Sequence, residues 1–65
     1  MKPGDKVKFQ AKESELKFIS VSGILYALDA GYRAYIVTDK DIPNTAIKEG
    51  EIVKVLLRDG HLFYA

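Results

Sequence analysis

Residues 51–65 read EIVKVLLRDGHLFYA, two apolar runs separated by Asp59-Gly60. An Asp-Gly pair between β-branched and aromatic residues is the strongest short-range signal for a β-hairpin with a two-residue turn. The stretch therefore predicts strand four over residues 51–58 and strand five over residues 61–64. It also predicts that the chain belongs to the all-β class.

The other apolar runs of the chain are also short and rich in strand formers. Val7 and Phe9 alternate with Lys6, Lys8 and Gln10, which is the period-two pattern of a strand with one solvent-exposed face. Residues 18–28 form a second, longer apolar run, which predicts strand two. A strand of this length in a small barrel has to bend, and Gly23 is the residue at which we expect the bend or bulge.

Asp29-Ala30-Gly31 predicts the turn that leads into strand three, over residues 32–38. The register of this hairpin decides which tyrosines are exposed, and two registers stay open. A two-residue loop places Tyr26 opposite Tyr35. A three-residue loop places Tyr26 opposite Ala34 and Leu25 opposite Tyr35.

Two longer connections complete the five-strand pattern. Residues 11–17 are polar apart from one leucine and predict a mobile loop. Residues 39–50 form the second connection, in which Asn44-Thr45 is suited to a single helical or 3₁₀ turn. We expect Ile42 and Ile47, from the same connection, to plug one end of the barrel.

Length and composition limit the kind of protein further. A chain of 65 residues allows one domain, residues 1–65, and its 48% hydrophobic content has to supply the whole core. It contains no cysteine and one histidine, so neither disulfides nor a zinc site supplement that core. No segment is suited to span a membrane, and the start of the chain does not resemble a signal peptide, so we expect a cytoplasmic protein.

The charges nearly balance, with ten basic and nine acidic residues and a net charge of +1. This is far from the single-sign field of a protein that depends on phosphate electrostatics, although a balanced total can hide a basic face. The first part of the chain is rich in lysine (Lys2, Lys6, Lys8, Lys12 and Lys17). We interpret these lysines as solvated residues that protect a terminal strand, with a phosphate-binding stripe as the alternative.

The strand pattern resembles the SH3-like barrels, the broad group that includes KOW and Tudor domains and many small bacterial and phage proteins. The resemblance rests on Gly4-Asp5-Lys6-Val7 at the first strand, Gly23-Ile24 before a hydrophobic stretch, and Tyr35-Ile36-Val37 on the return strand. It implies a five-stranded barrel over the whole chain. Recognition of proline-rich peptides is not expected, because residues 11–17 contain no aromatic residue and the chain has no tryptophan.

An OB-fold barrel is the alternative. Residues 21–37 and 47–55 look similar to the first hairpin and fourth strand of ribosomal S1-type domains. In that arrangement the predicted strand around Val7 and Phe9 is an extra strand, because the first strand of an S1-type domain corresponds to the second strand of this chain. The interleaved aromatic and basic residues with which cold-shock domains stack bases are also missing.

No combination of residues predicts a catalytic, cofactor or metal site. His61 lies two residues from Asp59, but no serine or cysteine nucleophile is placed beside the pair. Asp39 and Asp41 have a spacing that can chelate a cation, yet no third carboxylate follows at calcium-loop spacing. Ser20 and Ser22 are expected on the polar face of strand two. We therefore predict a non-catalytic protein.

The tyrosines carry the main functional signal. Tyr26, Tyr32, Tyr35 and Tyr64 all fall on predicted strands, which a five-stranded barrel brings close together. Tyrosine offers a large contact area with few rotamers to restrict, and Arg33 lies beside Tyr32 and can stack on an aromatic ring. The alternative is that the four are barrel residues whose hydroxyl groups reach the rim.

Two functions follow from these residues. The first is a protein-interaction or regulatory module, by analogy an accessory protein of a phage or prokaryote, which binds another protein or itself. Its predicted surface is the tyrosine and Arg33 face or an exposed strand edge. The alternative is a barrel that binds RNA or single-stranded DNA, with Tyr26 or Tyr35 stacking a base. Its phosphate contacts would come from Arg33 and from the other basic residues Lys6, Lys8, Lys17, Lys54 and Arg58.

Overall fold

The computed structural model describes residues 1–12, 20–43 and 45–65, and it confirms the all-β class. The strands are β1 (Lys6–Ala11), β2 (Ser20–Asp29), β3 (Arg33–Thr38), β4 (Ile52–Leu56) and β5 (Gly60–Tyr64), with a 3₁₀ turn at Leu57–Asp59. They form one antiparallel sheet in the order β4-β3-β2-β1-β5. Each of the five predicted strands is therefore present, with bounds that differ by a few residues.

Some predictions fall outside the described residues. The polar connection predicted over residues 11–17 overlaps the range 13–19, as do the first two residues of predicted strand two, Phe18 and Ile19. The helical turn predicted at Asn44-Thr45 includes Asn44, which is also outside. The single 3₁₀ turn of the described chain lies instead between β4 and β5.

The predicted hairpin at Asp59-Gly60 is wrong. β4 and β5 lie at opposite edges of the sheet and do not pair with each other. Gly60 has an extended backbone with φ 179°, and it pairs with Ala11 of β1. A Cβ atom at Gly60 would overlap the carbonyl oxygen of Gln10 and the ring of Phe9. Glycine stands here because β5 packs tightly on β1, and not because a turn requires it.

The sheet curls without closing. Only the three residues of the 3₁₀ turn connect the end of β4 to the start of β5, and three such residues span only about 6 Å. The two edges of the sheet therefore approach each other at this end. No ladder joins them among the described residues, so the predicted closed barrel is not formed.

The hairpin of β2 and β3 has a register that neither predicted alternative anticipates. Its closing pair is Asp29 with Arg33, which leaves a three-residue loop, and Ala27 lies opposite Tyr35. The register shifts between Leu25 and Ala27, so that Tyr26 is the extra residue of a bulge. This one extra residue changes the partner of every residue before it.

The bulge is therefore at Tyr26 and not at Gly23, where it was predicted. Gly23 pairs regularly with Val7 on one side and Thr38 on the other. A Cβ atom on Gly23 would overlap the carbonyl oxygen of Val37. Its role is to let β2 and β3 approach closely.

The core lies on one face of the sheet. Its buried residues are Val7, Phe9, Val21, Leu25, Ala34, Ile36, Ile42 and Val55. Ile42 and Ile47 were predicted to plug one end of a barrel. The sheet is not a closed barrel, but Ile42 is buried in the core and Ile47 packs against it. Thr38 is the buried polar residue of the described chain; its hydroxyl donates to the carbonyl of Lys48 at 3.0 Å and accepts from the backbone N–H of Gly50 at 3.1 Å.

Candidate binding surface

The register divides the strand residues between two faces of the sheet. Residues directly opposite each other in a ladder share a face, and successive residues of one strand alternate. On β3, Ala34, Ile36 and Thr38 are buried and define the core face. Arg33, Tyr35 and Val37 alternate with them and define the outer face.

Three aliphatic side chains lie side by side on the outer face. Val37 is paired with Ile52 on one side and with Ile24 on the other, so the three form a row across β4, β3 and β2. Ile52 is 52% exposed and Ile24 is 39% exposed, while Val37 between them is half-buried. We call Ile24, Val37 and Ile52 the outer row. Exposed apolar residues that adjoin in this way are a typical feature of binding surfaces.

Basic residues border the outer row. Lys6 of β1 lies opposite Ile24 and continues the row at its end. Lys54 lies between Ile52 and Leu56 on β4, opposite Tyr35. The strands together contain four cationic residues, Lys6, Lys8, Arg33 and Lys54, but only one acidic residue, Asp29. The net charge of +1 thus conceals a basic sheet, because the other acidic residues of the chain lie outside the described strands.

An open cleft adjoins this surface at the end of β3 and β4. Gly31, Tyr32 and Arg33 line it on one side, and β4 together with the 3₁₀ turn lines the other with Lys54, Leu56, Leu57 and Arg58. The backbone N–H of Leu57 donates to the carbonyl of Tyr32 at 2.9 Å and holds the two sides together. We call this group the cationic cleft, since three of its seven residues are basic.

Three of the four tyrosines predicted to bind belong to the hairpin of β2 and β3. Tyr35 lies on the outer face beside the outer row, where it is half-buried. Tyr32 is in the turn before β3, rather than on the strand as predicted, and is 70% exposed in the cationic cleft. Tyr26 occupies the bulge of β2 and is 59% exposed.

Tyr64 lies apart from these residues. It is at the end of β5, opposite Val7, and therefore belongs to the core face at the other edge of the sheet, although it is exposed. The expectation that the fold brings all four tyrosines together is wrong for Tyr64, because β1 and β2 separate β5 from β3.

Arg33 forms an ion pair within its own hairpin. Its Nη2 atom lies 2.8 Å from Oδ2 of Asp29, directly across the ladder, and both side chains are 44% exposed. This pair neutralises the one acidic residue of the strands. It also holds the guanidinium group at the border of the cationic cleft.

The basic residues predicted to contact phosphates fall into two groups. Lys54 and Arg58 line the cationic cleft, and Arg58 Nε is 3.8 Å from Asp59 Oδ1. Lys6 and Lys8 lie on the outer face of β1. Lys17 is outside the described residues. The outer row lies between the two groups.

The residues considered for catalysis do not assemble a site in the described chain. His61 and Asp59 are both exposed, with His61 on β5 opposite Gln10. Ser22 donates to Oδ1 of Asp39 at 2.7 Å, which anchors the end of β3 to β2. Among residues 1–12, 20–43 and 45–65, no three histidine or acidic side chains are grouped to hold a metal ion.

The outer row was not predicted, because the hydrophobic content as a whole was expected to supply the core. Strand alternation contained the signal. Lys54 marks the outward-facing positions of β4, so Ile52 and Leu56, two residues away on either side, share its face. On β3, Arg33 identifies the outward-facing positions in the same way, and Val37, four residues later, shares its face.

No helix in the described part of the chain has the length and apolar character needed to cross a membrane. The chain matches no protein-family model, no curated protein and no solved structure.

Proposed function

We propose that this protein is a non-catalytic binding module for another protein, with the outer face of β2, β3 and β4 as its interface. The observation that carries this proposal is the outer row, three adjoining aliphatic side chains on the outer face with Lys6 at one end and Lys54 beside the other. Protein interfaces typically have an apolar centre and a polar rim. Lys6 and Lys54 supply such a rim, and Tyr35 adds an aromatic side chain of the kind enriched in interface hot spots.

The same arrangement favours a protein partner over a nucleic acid. A groove that follows a phosphate backbone has basic residues along its path and aromatic rings on which bases stack. Here the basic residues lie on both sides of an aliphatic row, and Arg33 is already paired with Asp29. The basic rim selects for an acidic partner, because charges across an interface are usually complementary.

For the fold group, we propose an SH3-like arrangement. Support comes from the long connection after β1, the central hairpin of β2 and β3, and the two short final strands. The first four strands pair in sequence order as a meander, whereas the OB-fold is a Greek-key barrel. This grouping adds nothing to the functional argument, which depends on the surface alone.

The test is photocrosslinking in the cells that naturally make the protein. A photoreactive phenylalanine analogue replaces Tyr35, and the crosslinked material is separated into protein and nucleic-acid adducts. We expect a discrete protein adduct that is lost in the double variant Ile24→Thr and Ile52→Thr, since threonine keeps the β-branched shape but removes the apolar surface. The matched control is Tyr64→Thr on β5, which removes an exposed aromatic side chain from the opposite, core face at the far edge of the sheet and should leave the adduct unchanged.

An NMR titration separates the alternative function. Single- and double-stranded oligonucleotides are added to the ¹⁵N-labelled protein at low and then moderate salt. Localised chemical-shift changes at Arg33, Lys54 and Arg58 that disappear as the salt concentration increases would indicate that the partner is a nucleic acid and not a protein. The absence of such shifts, together with the protein adduct, supports the proposal.

A further inference from the structure

The outer edge of β4 has backbone groups available for another strand. Leu57 N–H donates to the carbonyl of Tyr32, and Thr38 N–H donates to the carbonyl of Glu51. In an antiparallel ladder hydrogen-bonded pairs alternate with non-hydrogen-bonded pairs, so residues 51, 53, 55 and 57 direct their backbone groups toward β3. The N–H and C=O groups of Ile52, Lys54 and Leu56 consequently point away from the sheet. No described strand pairs with them.

The charge at this edge argues against pairing with a second copy. An antiparallel pair of two β4 strands that matches Ile52 with Leu56 also places Lys54 opposite Lys54. Like charges directly opposite each other in a ladder are destabilising, and lysine on an edge strand is a known protection against self-association. Lys54 carries this charge argument alone, because Arg33 and Arg58 at the adjoining cationic cleft each lie beside an aspartate, Asp29 and Asp59.

We infer that β4 accepts an extended acidic segment of a protein partner as a sixth, antiparallel strand. This inference rests on the proposed function and identifies the kind of partner. Antiparallel addition continues the pattern of this sheet, in which every pair of neighbouring strands is antiparallel. Strand addition takes its affinity from main-chain hydrogen bonds and its specificity from alternate side chains.

The register defines a motif for the incoming strand. Its residue opposite Lys54 is acidic, and the residues two positions before and after it, opposite Leu56 and Ile52, are apolar. These three side chains lie on the outer face and extend the outer row by one strand. The two intervening side chains face the same side as Val53 and Val55 and cover the edge of the core.

The test uses a synthetic nine-residue peptide in which valine and threonine alternate and the central valine is replaced by glutamate. The peptide is added to the ¹⁵N-labelled full chain. We expect NMR shifts and slower amide exchange at Ile52, Lys54 and Leu56. The Lys54→Glu variant should bind the glutamate peptide roughly fivefold more weakly than the wild type, since a cross-strand charge pair contributes up to ~1 kcal/mol. The same variant should bind a matched peptide with a central lysine more tightly than the wild type does, by about the same factor.

N-methylated peptides test the backbone hydrogen bonds without altering the protein. Methyl groups on the glutamate and valine amides, which would face β4, should abolish binding. Methyl groups on the threonine amides, which would face solvent, should leave it within about twofold, because those amides make no bond to the edge. Equal effects of the two methylation patterns, or equal binding of the glutamate and lysine peptides, would overturn the inference.

The crosslinking experiment separates this inference from the proposed function. Lys54→Pro and Lys54→Ala both remove the charge of Lys54. Only proline also removes the outward N–H group, and an edge strand tolerates proline at such a position. If the adduct at position 35 survives both variants and the peptide does not bind, strand addition is wrong and the outer-face interface stands. If the protein forms a dimer that Lys54→Pro disrupts, a second copy occupies the edge and the inference is also wrong.

Discussion

Two turns of this chain contain an aspartate followed closely by a glycine, and they have different structures. Asp29 and Gly31 belong to the three-residue loop that connects β2 with β3, where Ala30 and Gly31 have φ angles of 51° and 78°. At Asp59-Gly60 the chain passes through a 3₁₀ turn to the opposite edge of the sheet, and Gly60 is extended. Similar local residues therefore produce a hairpin in one place and a crossing between sheet edges in the other.

The difference shows that a glycine can be required for two separate physical reasons. Gly31 needs its left-handed backbone conformation, and there is open space where its Cβ atom would be. Gly60 has an ordinary conformation but no space, because Gln10, Phe9 and Ala11 of β1 surround it. The first requirement is local and can be inferred from the sequence, while the second depends on which strand packs beside the glycine.

The largest expected effect is at Gly60. Gly60→Ala places a methyl group against the backbone of Gln10 and Ala11, which cannot move without disturbing the β1–β5 ladder. We expect the free energy of unfolding to fall by about 3 kcal/mol, at the upper end of typical overpacking costs. Urea unfolding followed by circular dichroism measures this change. A loss below about 1 kcal/mol would show that β5 moves easily away from β1.

A smaller effect is expected at Gly31. Gly31→Ala meets no steric overlap but forces an L-residue into the left-handed region, which costs about 1–2 kcal/mol. Gly31→Asn is the matched control, because asparagine tolerates this conformation and should cost less. The comparison uses the same urea experiment. Equal losses for alanine and asparagine would indicate a side-chain clash rather than backbone strain.

The two aspartates provide a third comparison. Asp29→Ala removes the ion pair with Arg33, and since both side chains are partly exposed we expect a loss of only about 0.5 kcal/mol. Asp59→Ala removes a longer contact of 3.8 Å with an exposed Arg58 and should change stability by less than that, within the usual range of about 0.5 kcal/mol for surface substitutions. Thermal unfolding at low and high salt tests this order. The salt dependence should decrease only in Asp29→Ala.

The smallest effect concerns a third turn aspartate, Asp5. The backbone N–H of Lys2 donates to Oδ2 of Asp5 at 2.8 Å and lowers the pKa of this carboxyl group, and the Lys2 ammonium group adds to the effect. A lowered pKa means that the contribution to stability is present above the ordinary carboxyl pKa and disappears as the pH falls through the lowered value.

Carboxyl ¹³C NMR titration should therefore place the midpoint of Asp5 below that of an unstructured aspartate. The wild type and Asp5→Asn should differ in stability at neutral pH and converge in acid. A midpoint at or above the ordinary value would contradict the hydrogen bond to Lys2.

The candidate surface was predictable only in part. Tyr32, Arg33 and Tyr35 were identified because their residue types suit interfaces, and they lie together on adjoining elements. The outer row was missed although Lys54 marks the exposed positions of β4, because the hydrophobic content of a short chain was expected as a whole to supply the core. The bulge at Tyr26 has no signal in the sequence, since it depends on how β2 fits between β1 and β3.

The amino-acid sequence alone determined the all-β class, the approximate positions of five strands and the turn between β2 and β3. These features depend on alternation and on local backbone preferences, which act over a few residues. The partners of the strands, the open sheet edge at β4 and the outer row emerged only from tertiary packing. Pairing β5 with β1 joins residues about fifty positions apart, and the choice between that contact and a local hairpin depends on which arrangement packs the core better.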